Sequence, residues 1–298
     1  MCICTFRRPA ELGKLLTRLV EVAADAAGSA QVGVVVVDDD PDGSAGPVVD
    51  GFADAFDLGL HAVRSGTGNI SVARNHAVET GLGVGTWLAF IDDDCLPDVG
   101  WIRELLATAD RHGATAVSGG CLDVPPAGAP AWLVDEPFLD DRTHGADGDP
   151  VDIGALKNVL VSAAFLRDHD IRFRLDHGRI GGEDVMFFVD MGRAGVHNVR
   201  APAAVVREEV PPARATLRYQ LGRRFWIGNT EAVTTLAGGR SNRPRTAAVG
   251  VRFALVGAVR PFARLARRQS PQWRYALGEV LRGVGRILGV AGVKVRHR

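Results

Sequence analysis

Three groups of carboxylates stand out in this sequence: Asp38-Asp39-Asp40, Asp92-Asp93-Asp94 and Glu183-Asp184. An acidic triplet that follows a buried apolar run is costly unless something positive neutralises it. Alternate residues of an extended strand end share one side, so Asp92 and Asp94 can converge on a single divalent cation. Hard oxygen donors suit magnesium or manganese, which bridge to substrate phosphates rather than sit in an all-protein cage. One such triplet alone reads as a solvated turn; three acidic groups in one chain point to a shared cleft. The Glu183-Asp184 pair follows Gly181-Gly182 and precedes the apolar stretch 185–188. A helix N-terminus stabilises one acid there by capping. The second is placed to accept a proton from an incoming hydroxyl.

Strand ends are needed to hold these groups. Residues 3–6, 32–37, 60–63, 87–91 and 114–117 are short apolar runs, and two of them lead directly into the aspartate triplets. Leu12, Leu15, Leu16, Leu19 and Val20 recur at helical spacing, and residues 71–80 and 101–111 also read as helices. Strands alternating with helices imply an α/β fold with a mostly parallel sheet covered on both faces. Ligands of such sheets bind beyond the carboxyl ends of the strands, where both aspartate triplets stand. Residues 122–152 are rich in Pro, Gly and Asp and read as a long functional loop. Gly66-Thr67-Gly68 lies between a strand and a helix, but Ser71 takes the third glycine position of a dinucleotide fingerprint. No ribose-binding acid follows at the fingerprint distance of about 20 residues. A dehydrogenase is disfavoured.

The chain has 298 residues, 46% of them hydrophobic, and balances 35 basic against 35 acidic side chains. That composition is too apolar for disorder, and the length suffices for a core without disulfide or metal staples. Cys2, Cys4, Cys95 and Cys121 form no CxxC pair, so no zinc module or disulfide framework is indicated. The net charge of zero hides a division. Residues 1–239 carry 21 basic and 34 acidic side chains, while residues 240–298 carry 14 basic and one acidic. The expectation is a domain over 1–239 joined to a basic helical tail over 240–298. Neither a secretory leader nor an uninterrupted apolar stretch long enough to cross a bilayer is read, which places the chain in the cytoplasm.

The motifs CTFRRP (4–9), VVVVDDDPDG (34–43), GTGNISVARNHA (66–77), FIDDDCLP (90–97) and GGEDVMFF (181–188) occur in the order and spacing of family 2 glycosyltransferases. With VREEVPPAR (206–214), the chain most resembles the succinoglycan-biosynthesis glucosyltransferase branch, over most of its length. The resemblance implies a GT-A nucleotide-diphospho-sugar transferase fold. It implies an inverting transfer from a nucleoside-diphosphate sugar, UDP-sugar first among donors, to a hydroxyl of a glycan or polyprenyl-linked glycan. Thr5, Arg7, Asp38 and Asp39 match positions lining the base and ribose, and Arg74 and Asn75 match a helix start facing the nucleotide. Asp92, Asp93 and Asp94 match the DxD segment, with Asp92 and Asp94 as ligands of Mn2+ or Mg2+. Asp184 matches the catalytic base and Glu183 its neighbour in the acceptor site.

The resemblance also has departures. Relatives often have several residues before the first strand, so the true start is expected upstream of Met1. Many relatives carry a metal-binding His after the acidic pair, where this chain has Glu208 and Glu209. His197 reads as a structural residue. The segment Gln220–Trp226 is similar to the QxxRW signature of processive synthases at shifted spacing, and Arg223 and Arg224 are taken as diphosphate contacts. In the tail, Val251, Leu255, Val259, Phe262 and Leu265 line one helix, and Leu277, Leu281, Val284 and Leu288 a second, amid arginines. Basic amphipathic helices are drawn to anionic membrane surfaces. Packing on the body or on a second copy is the competing reading, and nucleic acid ranks last because the tail lacks a recognition module. A nucleotidyltransferase is disfavoured because Thr5–Pro9 holds no Gly-rich loop after the first strand, and a non-catalytic scaffold because every expected acid is present.

Overall fold

The structure is a computed structural model that describes residues 1–295. In chain order the elements are β1 (Cys2–Thr5), α1 (Pro9–Ala26), β2 (Val34–Asp38), α2 (Gly46–Asp50), β3 (Leu60–Arg64), α3 (Ile70–Val84), β4 (Trp87–Phe90), β5 (Cys95–Pro97) and α4 (Trp101–His112). There follow β6 (Ala116–Val124), α5 (Ala131–Asp135), β7 (Val159–Ser162), α6 (Ala163–Asp168), α7 (Glu183–Arg193), β8 (Asn198–Glu209), α8 (Leu217–Ala237), α9 (Arg243–Ala266) and α10 (Trp273–Val290). The described residues group into two compact units: Met1–Asp123, Asp141–Arg179 and Glu183–Glu208 in one, Val124–Asp140, Ile180–Gly182 and residues 209–295 in the other.

The first unit is built on an eight-stranded sheet of order β3-β2-β1-β4-β7-β6-β8-β5. Its β3-β2-β1-β4 half is parallel, with Thr5 opposite Asp38 in the β1–β2 ladder. The β4–β7, β6–β7 and β5–β8 ladders are antiparallel, so the sheet is mixed, with its parallel half confined to the strands before Asp92. The pleat separates two cores. Ile3, Val34, Val36 and Ala89 face α1 and α4, which supply Leu12, Leu15, Leu16, Leu19, Trp101 and Leu105. Cys2, Val35, Val37 and Phe90 face α3, α6 and α7, which supply Ala77, Leu166, Phe187 and Met191. Each fully buried leucine of α1 stabilises by about 2 kcal/mol, which is why one amphipathic stripe suffices to seat that helix.

Inside the antiparallel half, Asn158 is wholly buried and fully bonded. Its Oδ1 accepts from Trp101 Nε1 (2.7 Å), and its Nδ2 donates to the carbonyls of Gly120 (2.7 Å) and Ala204 (2.8 Å). A side chain at Gly119 would collide with that amide and with the Ala204 carbonyl, so a glycine is required within β6.

The second unit contains α8, α9 and α10 with α5, which sets residues 209–239 with the basic helices rather than with the preceding sheet. Helices α8 and α10 touch at backbone level: a Cβ at Gly285 would collide with the Phe225 carbonyl, and one at Gly228 with the Arg282 carbonyl. Glu231 of α8 pairs with Arg282 and, at 3.0 Å, with Arg286 of α10, so part of the tail's positive charge is spent internally. The stretch read as one open loop is partly ordered. Its 124–140 portion carries α5, buries Leu133 and Phe138, and is anchored where Glu136 accepts from the Tyr275 N–H (2.6 Å).

Candidate functional site

The carboxyl ends of β1, β2 and β4 stand side by side in the first unit, and their side chains are linked. Thr5, buried at the end of β1, donates from Oγ1 to Asp93 Oδ2 (2.7 Å). Arg8, at the N-terminus of α1, donates from Nη1 to Asp93 Oδ1 (3.0 Å) and to Asp94 Oδ2 (2.7 Å). Burial pushes the Asp93 carboxyl up to about 6, against the Thr5 hydrogen bond and the Arg8 charge that favour its ionised form. Arg7 beside it is held at φ 55°, a left-handed conformation that costs a non-glycine residue about 1 kcal/mol or more. Its guanidinium pairs with Asp40 and Asp42, both at 3.1 Å.

Arg74, on the first turns of α3, joins two of the acidic groups. Its Nη1 donates to Glu183 Oε1 (2.5 Å), and its Nη2 lies 3.5 Å from Asp92 Oδ1. Its guanidinium also lies over the Phe173 ring, 5.7 Å from the centroid. Burial pushes the Glu183 carboxyl above its usual range, while Arg74 works in the opposite direction. Asp184, the next residue, is half-buried, and its Oδ1 accepts from the Val185 N–H (2.8 Å) at the start of α7. Gly181 and Gly182, at φ 85° and 84°, let the chain enter α7 through a turn that side chains resist. Asp92, Asp93, Asp94, Glu183 and Asp184 are thus gathered around two arginines.

The other sequence-selected residues have different tasks. Asp38 accepts from the N–H groups of Asp40 (2.9 Å) and Ala45 (2.8 Å), and so shapes the turn after β2. One oxygen of Asp39 accepts from Ser65 Oγ, the Thr67 N–H (2.9 Å) and the Gly68 N–H (3.2 Å), which ties the β3–α3 loop to the end of β2. Asn75 clamps Phe173 by bonding both its N–H (2.7 Å) and its carbonyl (2.9 Å). Arg223 and Arg224 lie in the second unit. Arg224 donates to the Pro137 carbonyl (2.7 Å), pairs with Glu279 (3.3 Å) and lies over Tyr275, and Arg223 reaches the Phe138 carbonyl at 3.5 Å. His197 is exposed and bonds to the Gly113 carbonyl (3.3 Å), a structural contact.

Two cationic residues stand at the acidic edge without having been assigned to it from the sequence. Arg8 was passed over for its neighbour Arg7, although Pro9 at the first helical turn marks Arg8 as the residue at the helix entrance. Lys157 lies between Glu208 (2.7 Å) and Asp123 (3.4 Å), and Glu208 stands opposite Cys95 in the β5–β8 ladder, one residue from Asp94. Burial works against the Lys157 charge, yet those two carboxylates hold its pKa above the ordinary lysine range.

Among the described residues no three His, Cys, Asp or Glu side chains are placed to hold a metal ion by themselves. Asp92, 43% exposed at its side chain, and Asp94, at 17%, present oxygen donors from one strand end. Two carboxylates completed by phosphate and water fit magnesium or manganese, which take one or two protein carboxylates in such sites. Glu208, in the place of the expected histidine, is engaged by Lys157.

The profile of the family described as Glycosyl transferase family 2 matches residues 1–170. The succinoglycan biosynthesis protein ExoM of Rhizobium meliloti (strain 1021) is 35% identical over 298 residues, covering 98% of this chain and 92% of that protein. Among solved structures, residues 1–349 of S. aureus TarS in complex with UDP-GlcNAc superpose with a TM-score of 0.54 at 16% identity, over 92% of this chain and 89% of that one. The mannosyltransferase PcManGT from Pyrobaculum calidifontis, in complex with GDP-Man and Mn2+, gives 0.56 at 16% identity, over 97% and 72%. The longer TarS chain is matched over 39% of its length. These structures share the GT-A fold with this chain. On the profile match and the full-length relative together, the chain belongs to glycosyl transferase family 2.

Proposed function

We propose that the protein transfers a sugar from a nucleoside-diphosphate donor, a UDP-sugar first, to a hydroxyl of a glycan or polyprenyl-linked glycan in polysaccharide biosynthesis, acting in the cytoplasm. The observation that carries this reading is Arg74, which pairs both with Asp92 of the DxD segment and with Glu183, the residue before Asp184. The UDP-GlcNAc and GDP-Man in the TarS and PcManGT structures support the donor class, and the name of ExoM supports the pathway class.

Asp184 accepts the acceptor's hydroxyl proton as that oxygen attacks the anomeric carbon. The bond from that carbon to the diphosphate oxygen breaks, and a single displacement inverts the centre. Glu183, fixed by Arg74, orients the first turn of α7 and keeps Asp184 at its post. Asp92 and Asp94 would hold Mn2+ or Mg2+, which when bound offsets charge on the leaving diphosphate. Thr5 and Arg8 hold Asp93, and through it the strand end, in position.

Thermal unfolding of the full chain with nucleoside diphosphates and their sugars, with and without Mn2+, tests donor binding, because a ligand of the native state raises its melting temperature. Asp184→Asn should lower turnover by about 10²–10⁴-fold with donor binding unchanged. Unchanged turnover in that variant removes Asp184 as the base.

A further inference from the structure

Helix α9 carries two opposed stripes. Thr246, Gly250, Gly257 and Pro261 are buried, and the two glycines lie against the backbone of α10, where a Cβ on Gly257 would come within 2.7 Å of the Ala276 carbonyl. On the other side Val251, Leu255, Val256, Val259, Phe262 and Leu265 are all exposed, Leu255, Val259 and Phe262 each above 60%. Of the exposed positions between Thr246 and Ala266, Arg252 is the sole charged one. A continuous apolar face of this kind marks an interaction surface. By length and composition α9 is also the one helix among the described residues that could cross a membrane, although only 22% of its most apolar window is buried.

The charge at its ends identifies what covers this face. Arg243 and Arg245 stand at the start of α9, and Arg264, Arg267 and Arg268 at its end. No acidic residue occurs between positions 240 and 278. A second copy laid on the same face, parallel or antiparallel, would set arginines against arginines. Lipid phosphates would complement them. Trp273, half exposed at the start of α10, stacks edge-on against Phe262 at 5.5 Å, an aromatic pair suited to the headgroup boundary. Spanning is opposed by packing: α9 is seated on α10 at its glycines, and α10 is pinned to α8 through Glu231.

We propose that the outward face of α9 is a membrane-docking surface, lying in the plane of an anionic bilayer with its valines, leucines and phenylalanine in the acyl boundary and its terminal arginines on lipid phosphates. This surface is independent of the assignment of the sugar-transfer site.

The test is co-sedimentation of the full chain with vesicles of phosphatidylcholine alone or with about 30% phosphatidylglycerol, at low and high salt. Binding is expected only to the anionic vesicles and should weaken with salt. The triple variant Leu255→Glu, Val259→Glu, Phe262→Glu should lose about tenfold or more of that binding, since it removes the apolar burial. Because these positions are exposed, its melting temperature and its UDP binding should match those of the parent. Arg267→Glu with Arg268→Glu should weaken binding and flatten the salt dependence. Indifference to anionic vesicles, undiminished binding by the triple variant, or a dimer that the triple variant dissociates would each overturn the proposal. Retention in the membrane after alkaline carbonate washing would overturn the in-plane placement in favour of a span.

Discussion

Arg74 and Glu183 offer the sharpest test of how the acidic edge is held. Both side chains are 11% exposed, so Arg74→Met strands a carboxylate where water cannot solvate it. Breaking a buried pair from one side costs about 3–5 kcal/mol, and this pair, not wholly dry, belongs near about 3. The second neighbour, Asp92, contributes little, because its side chain is 43% exposed and solvent screens it. Glu183→Gln leaves Arg74 a neutral hydrogen-bond partner and should cost about 1–2 kcal/mol. In the double variant the stranded charge is gone, so its cost should fall about 2 kcal/mol short of the sum of the single ones. Urea unfolding of the full chain reads this directly: with a slope of about 2–3 kcal/mol per molar, Arg74→Met moves the midpoint down by about 1 M. Trp87 and Trp101, both in the sheet-bearing unit, report its transition by fluorescence. A shift below about 0.3 M for Arg74→Met, or simple additivity in the double variant, would show that the link is an exposed contact with no structural role.

Arg8→Ala should raise the affinity of the nucleotide-free protein for Mn2+ by about tenfold, because it removes a positive charge within 3.0 Å of Asp93 and 2.7 Å of Asp94. Isothermal titration with Mn2+ alone checks this, and weaker binding would mean that Arg8 orders the carboxylates rather than competing for them. Asp93, pushed up to about 6 by burial, keeps its proton in the folded protein at pH values where the unfolded chain has lost it. Its contribution to stability is therefore full below about pH 4 and is lost as pH rises through about 6. In chelator, the urea midpoint of the parent should fall relative to that of Asp93→Asn across this window and run parallel above it; a relative rise would reverse the sign of the assignment.

The parallel half of the sheet was legible because β1, β2, β3 and β4 are short apolar runs, each bounded by turn residues or charges. Of the antiparallel half only the start of β6, in the 114–117 run, was legible. Strand β6 continues through Ser118-Gly119-Gly120, which carries no strand pattern, and Asn158 and Ala204 fill the space beside Gly119. Strand β8 alternates unevenly between buried and exposed positions and contains Pro202. At the site, the acids announced themselves by clustering, but their cations did not: Arg8 lies 86 residues from Asp94 and Arg74 lies 109 from Glu183, separations that no local pattern encodes. Asp38 and Asp39 were legible as polar residues at the end of a strand and Asn75 as a polar residue within a helix, and only their hydrogen bonds reveal that they brace neighbouring segments. Arg223 and Arg224 drew attention through a motif, while their partners Pro137, Phe138 and Glu279 are fixed by long-range folding.

The glycine contacts along α10 also govern how this part of the protein can diverge. At Gly228, Gly283 and Gly285 the neighbouring backbone already occupies the room a methyl would take, so even alanine there must prise two helices apart. Such positions are expected to stay frozen while the outward positions of α9 drift freely among aliphatic residues. A library randomised over both would separate them in one round of selection for soluble, folded protein.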